Sequence, residues 1–293
     1  MGKGNKWEKI FFAAGFCLAG AGVYRVVKNH RQAKQLALEL KRERLTPTLM
    51  LHGIHGDKRT MQGMIRRWRL AGLAYKALEI QITKDGEMII DGLWIKNDEG
   101  CHPIIQVFFE NNDATPVLQV SWLLKIMTFL NKELGIDEIN LLGHSMGGVA
   151  VLGYLTQATK YKDMTPKVEK FIALGSPFKG ELVDSLLSQV YQLEKDGKRN
   201  FDRYYDFFMA ERAGIPKDLR VLNVYGDLNN GSESDGIVAT KNAAILKDML
   251  GDSVSFYAEH VIKGLGGQHT LLHENAEVDQ LVAKFLWQEE SEF

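Results

Sequence analysis

Cysteine is nearly absent: the chain has two, Cys17 and Cys101. They stand in unrelated contexts and neither belongs to a C-x-x-C pair, which excludes a disulfide framework and a zinc-binding cysteine pattern. An excess of one charge is also missing. Lys and Arg number 36 against 37 Asp and Glu, a net charge of -1. There is no electrostatic case for a nucleic-acid partner. Internal repeats and low-complexity segments are lacking, which argues against a repeat architecture. Long hydrophobic runs are scarce as well. One stands out, the uncharged stretch from Ile10 to Tyr24, preceded by Lys3, Lys6 and Lys9. A basic start followed by an apolar run is the pattern of a membrane anchor or a signal segment. As a helix it would span about 22 Å, short of a hydrocarbon core of roughly 30 Å. Trp7 and Arg25 can extend it by sitting at the two interfaces.

Residues 1–30 are therefore expected to form an N-terminal membrane anchor or signal segment, and residues 31–45 a charged helical linker. Residues 46–293 are expected to form the folded domain. The expected location is at a membrane, on the extracytoplasmic side at the cell surface. The basic residues after the apolar run, from Arg25 to Arg44, leave the orientation open.

The chain as a whole has ordinary globular composition, 45% hydrophobic and 25% charged. Strand patterns at 48–51, 77–82, 88–95, 104–109, 138–142, 168–174, 219–225 and 254–261 alternate with helical patterns at 115–134, 147–159, 181–194 and 275–287. Lys84-Asp85-Gly86 makes a hairpin of the second and third strands. This alternation predicts an α/β fold with a mostly parallel central sheet and helices on both faces. Residues 178–217 interrupt two core strands. Leu182, Leu186, Val190 and Leu193 at helical spacing, with the aromatic cluster after Phe201, predict a small helical cap.

Chemistry is concentrated in Gly143-His144-Ser145-Met146-Gly147. This G-x-S-x-G follows an apolar strand and precedes a run of small helical residues, the context of a nucleophile elbow. A serine hydroxyl needs a base to take its proton, and the base needs an acid to fix its tautomer. In this architecture the acid and then the histidine follow the serine along the chain. Asp227 and Asp235 both lie in the loop after strand 219–225, and His269 and His273 both lie after strand 254–261. Asp235, in S-D-G-I-V, and His269, after a glycine-rich loop, are preferred. Asp227 reads as a turn former and His273 as a helix-start or supporting residue. Charge developing on a substrate oxygen calls for preorganised donors. The backbone N–H groups of Met146 and of Ile54, in His52-Gly53-Ile54-His55-Gly56, are the candidates. The His52 and His144 side chains read as structural hydrogen-bonding groups.

L-H-G-I-H-G, G-H-S-M-G-G, S-D-G-I-V and H-T-L-L-H-E-N together resemble an alpha/beta hydrolase. P-I-I-Q-V-F-F-E-N-N and G-S-P-F-K-G are similar to signatures of one branch, the domain-of-unknown-function 915 family of candidate cell-surface hydrolases. The resemblance spans about residues 46–288. It implies the alpha/beta-hydrolase fold, a Ser145–Asp235–His269 triad, and Ile54 and Met146 as oxyanion donors. It supplies no substrate. His55 departs from the glycine frequent there in bacterial lipases, and would narrow the oxyanion loop or add a polar contact. The expected activity is hydrolysis of carboxylic esters through an acyl-enzyme on Ser145, on a small or lipid-like ester. Neither metal nor organic cofactor is implied. The same groups would serve a thioesterase or acyltransferase, and a non-catalytic scaffold at a membrane is the alternative outside enzymology.

Overall fold

The computed structural model describes residues 45–94, 101–182 and 201–288. Among these, one sheet is built from β1 (Thr48–Leu51), β2 (Ala74–Ile82), β3 (Met88–Gly92), β4 (His102–Phe109), β5 (Glu138–His144), β6 (Lys167–Leu174), β7 (Arg220–Asp227) and β8 (Phe256–Lys263). The strand order is β3-β2-β4-β1-β5-β6-β7-β8. All neighbours are parallel except β2 and β3, the antiparallel hairpin.

The central strands are apolar on both faces, and their side chains alternate between two cores. Leu49, Leu51, Ile105, Leu141, Phe171, Ala173 and Val221 face one core. Met50, Ile104, Leu142, Ile172, Leu174, Leu222 and Val224 face the other. The first core is closed by α2 (Pro116–Lys132) and α3 (Met146–Leu155), the second by α1 (Gln62–Leu70) and α7 (Ala276–Trp287). Helices therefore cover both faces. Burying one Leu of β5 in this way contributes roughly 2 kcal/mol.

Helix ends follow local chemistry. Thr115 caps α2 by accepting from the Leu118 N–H, and Pro116 stands where its missing N–H costs nothing. Asn275 caps α7 by accepting from the Glu277 N–H. α3 stops at Leu155, short of the expected 159; the Thr156 hydroxyl turns back to the Gly153 carbonyl at 2.8 Å, and a 3-10 turn follows at Ala158–Tyr161. β3 ends at Gly92, whose φ of 103° turns the chain away before the predicted end at Ile95, itself outside the described residues. α1 was not foreseen. Its buried Met64, Ile65 and Trp68 lie at helical spacing, but the intervening arginines mask the pattern.

Of the predicted insertion at 178–217, residues 183–200 fall outside the described part. After it come α4 (Asp202–Glu211) and a 3-10 turn at Arg212–Gly214. The predicted anchor and linker, up to residue 44, also lie outside it. Among the described residues no helix is long and apolar enough to cross a membrane. Two short helices, α5 (Thr240–Ala244) and α6 (Leu246–Leu250), complete the fold between β7 and β8.

Candidate active site

β5 runs straight into Ser145, the first residue past the strand, and α3 starts at the next. Ser145 has φ 53° and ψ -124°, a conformation strained for any residue with a Cβ, at a cost of about 1–3 kcal/mol. The turn is so tight that flanking side chains have no room. A Cβ on Gly143 would lie 2.4 Å from the Gly148 nitrogen, and one on Gly147 would lie 2.5 Å from the carbonyl oxygens of Leu51 and His52. The Ser145 N–H donates to the Leu174 carbonyl at 2.8 Å, which ties the turn to β6. All ten residues of α3 are buried, so the elbow rests on a rigid support.

The loops after β7 and β8 reach the same end of the sheet. His269 Nε2 lies 3.0 Å from Ser145 Oγ, and its Nδ1 lies 2.7 Å from Asp235 Oδ2. Asp235 Oδ1 accepts from the N–H groups of Ile237 at 2.9 Å and Val238 at 2.7 Å. The carboxylate thus has backbone donors on one oxygen and the imidazole on the other. The carboxylate accepts three N–H bonds in all, and its Oδ2 fixes the His269 proton on Nδ1. That leaves Nε2 with a lone pair facing the serine. All three side chains are buried: Ser145 and His269 are 4% exposed and Asp235 1%.

The two residues that competed for these places are elsewhere. Asp227 Oδ1 accepts from the Asn229 N–H at 2.9 Å, a local turn. His273 sits in a 3-10 turn, 3.1 Å from Glu274 Oε1.

On the other side of Ser145 lies the loop after β1. His52 Nδ1–H donates to the Gly53 carbonyl at 2.5 Å, and its Nε2 accepts from the Phe109 N–H at 2.9 Å. One nitrogen must donate and the other accept, so the ring is neutral; burial pushes its pKa down accordingly. His52 is thus a clamp between this loop and β4. His55 adopts φ 55°, which accounts for glycine being the easier choice there. Its ring does not stay beside the serine. Nε2 pairs with Asp113 Oδ1 at 2.5 Å, and the His55 N–H donates to the Asn112 carbonyl at 3.1 Å. Between them, the N–H groups of Ile54 and Met146 find no acceptor among the described residues.

Residues 35–289 match a family described as alpha/beta hydrolases of unknown function, DUF915. The chain belongs to this family. The family's fold and the eight-stranded, mostly parallel sheet agree. A gene product of Listeria innocua has a crystal structure that aligns with a TM-score of 0.72 at 25% identity, over 85% of this chain and 96% of its own. A Lactobacillus plantarum WCFS1 protein, described as a candidate cell surface hydrolase, aligns with a TM-score of 0.64 at 20% identity, over 84% of this chain and 91% of its own. A comparison with curated proteins gave no match.

Sequence reasoning missed two contributors to this DUF915 site. Gly175, φ 58°, lies against the His269–Asp235 bond: a Cβ there would stand 3.3 Å from His269 Nδ1 and 3.4 Å from Asp235 Oδ2. Its signal was the G-S-P turn directly after a buried strand. The Ile237 and Val238 N–H donors act through the backbone, so their place in the S-D-G-I-V stretch does not reveal that role.

Proposed function

We propose that this protein is a serine hydrolase that cleaves carboxylic esters through an acyl-enzyme on Ser145. The observation that carries the reading is the continuous hydrogen-bonded line Ser145–His269–Asp235, with bonds of 3.0 and 2.7 Å. Ser145 Oγ attacks the ester carbonyl as His269 Nε2 takes the hydroxyl proton. Asp235 holds the resulting imidazolium in place through Nδ1–H. The carbonyl oxygen gains negative charge next to the two open donors, Ile54 N–H and Met146 N–H. His269 then passes its proton to the leaving alcohol, and the C–O bond breaks. Water enters, loses a proton to His269, attacks the acyl carbon, and releases the acid as Ser145 regains its proton.

The membrane role falls to the stretch Ile10–Tyr24, outside the described residues. We propose that it tethers the domain to a membrane at the cell surface; the Lactobacillus plantarum protein is described as a candidate cell surface hydrolase. Protease protection in intact cells tests this placement.

The function is tested on residues 46–293 with p-nitrophenyl esters of increasing acyl length, alongside thioester and amide panels. Ester turnover that disappears in Ser145→Ala is the expected result. Thioester turnover in excess of ester turnover would move the assignment to a thioesterase. A folded protein inert on every panel would favour the scaffold reading.

A further inference from the structure

His144 stands one residue before Ser145, and its side chain is buried, 5% exposed. Its Nε2 lies 3.1 Å from the backbone carbonyl oxygen of His269. A carbonyl only accepts, so Nε2 carries the proton and donates. Nδ1 is then the lone-pair nitrogen, and it is buried with no partner. A Cβ on Gly53 would come within 3.2 Å of it. The ring therefore fills the space where three segments meet. It lies against Gly53 of the loop after β1, tilted on His269 at 4.8 Å between centroids, and edge-on to His273 at 4.9 Å.

An apolar ring of similar size would fill the same space and bury no unpaired nitrogen. What histidine adds is one donor, and that donor is used on one atom of His269. The His269 backbone is held on its other side too, where its N–H donates to the Asp235 carbonyl at 3.0 Å. The peptide groups flanking His269 are thus anchored to the acid loop and to the elbow. Only its two side-chain torsions remain, and both ring nitrogens are engaged.

We propose that His144 is a positioning residue, whose Nε2–H holds the His269 backbone so that the elbow and the histidine loop act as one rigid unit. The proposal rests on the serine-hydrolase reading for its kinetic consequence but not for its structural one. Burial, with His269, His273 and His52 nearby, keeps the His144 pKa well below its ordinary 6.5. The ring stays neutral, so no second positive charge opposes the imidazolium that forms on His269.

The test compares the wild type with His144→Gln, which keeps a donor near the Nε2 position, and with His144→Phe and His144→Met, which do not. Two apolar variants are used so that a failure of either to fold leaves the comparison intact. The first readout is the downfield proton resonance of His269 Nδ1–H bonded to Asp235, recorded by NMR without substrate. It should persist in wild type and His144→Gln and broaden or vanish in the folded apolar variants. The second is ester hydrolysis. A misplacement of this kind should lower kcat of the apolar variants about 10- to 100-fold while KM moves less than about threefold, with His144→Gln recovering most of the loss. An apolar variant with the wild-type resonance and kcat would overturn the proposal. So would equal losses in His144→Gln and the apolar variants, the pattern of lost packing. If the wild type turns over no ester while the resonance still follows His144, the hydrolase reading fails and the positioning role stands.

Discussion

Asp235→Asn isolates the acid. Asp235 accepts three bonds: Ile237 and Val238 N–H on Oδ1, and His269 Nδ1–H on Oδ2. An asparagine has two ways to sit there. With its amide oxygen in the Oδ1 position it keeps both backbone bonds and turns its NH2 toward His269. The reverse orientation sets an NH2 against two N–H donors, leaving buried groups unpaired at about 1–3 kcal/mol each. The first orientation therefore wins by several kcal/mol. It forces Nδ1 of His269 to accept, which moves the ring proton to Nε2, the nitrogen 3.0 Å from Ser145 Oγ. A base with its lone pair on the wrong nitrogen cannot take the serine proton. The same tautomer inversion in a serine protease costs about 10⁴ in kcat, equivalent to roughly 5.4 kcal/mol of transition-state stabilisation. The assay is steady-state hydrolysis of a p-nitrophenyl ester, with near-UV circular dichroism to check the fold. Asp227→Asn is the control and should stay within about twofold, because the Asp227 carboxylate serves a surface turn. A folded Asp235→Asn enzyme within about tenfold of wild type would refute the tautomer argument.

Three further outcomes are expected. Gly147→Ala should destabilise the fold by about 2 kcal/mol or more in urea titration, because the new methyl meets two backbone carbonyls at 2.5 Å; no loss of stability would contradict the elbow packing. Arg67 on α1 binds the buried Asp279 of α7, and burial pushes the Asp279 pKa up even with this partner. Arg67→Met should cost about 2–4 kcal/mol, and Arg67→Met with Asp279→Leu should recover much of it; equal losses in the two would exclude an uncompensated carboxylate as the cause. His102 stacks on Trp287 at 4.7 Å, and burial with nearby Lys170 lowers its pKa to about 4. Its folded value is below its unfolded one, so its contribution is full above pH 6.5 and is lost as pH falls from 6.5 toward about 4. His102→Gln should flatten the fall in urea midpoint between pH 7 and pH 5; an unchanged slope would count against the shift.

What the sequence makes legible follows from how local each signal is. The Ser145 turn announces itself because its sterics demand glycines at fixed places and a strand before it. The parallel sheet is legible because strands buried on both faces read as continuous apolar runs. The choice of Asp235 over Asp227 is less local. Asp227 ends β7 and Asp235 lies in the loop after it, and what separates them is the loop's return: the Ser234–Ala239 bridge folds Asp235 back under Val238. His55 illustrates the same limit. Its departure from glycine was visible, but its turn toward Asp113 depends on a loop almost 60 residues further along. α1 is hidden because its polar face carries arginines that break the apolar pattern, and the purpose of one of them, Arg67, appears only once Asp279 of α7 is packed beside it.

The central claim is that Ser145 is a nucleophile activated by His269. Its most direct test is a fluorophosphonate probe followed by peptide mapping of the adduct. A single phosphonylated peptide carrying Ser145 is predicted in the wild type, absent in Ser145→Ala and formed far more slowly in His269→Ala. Equal labelling of wild type and Ser145→Ala, or an adduct mapped to another residue, would contradict it.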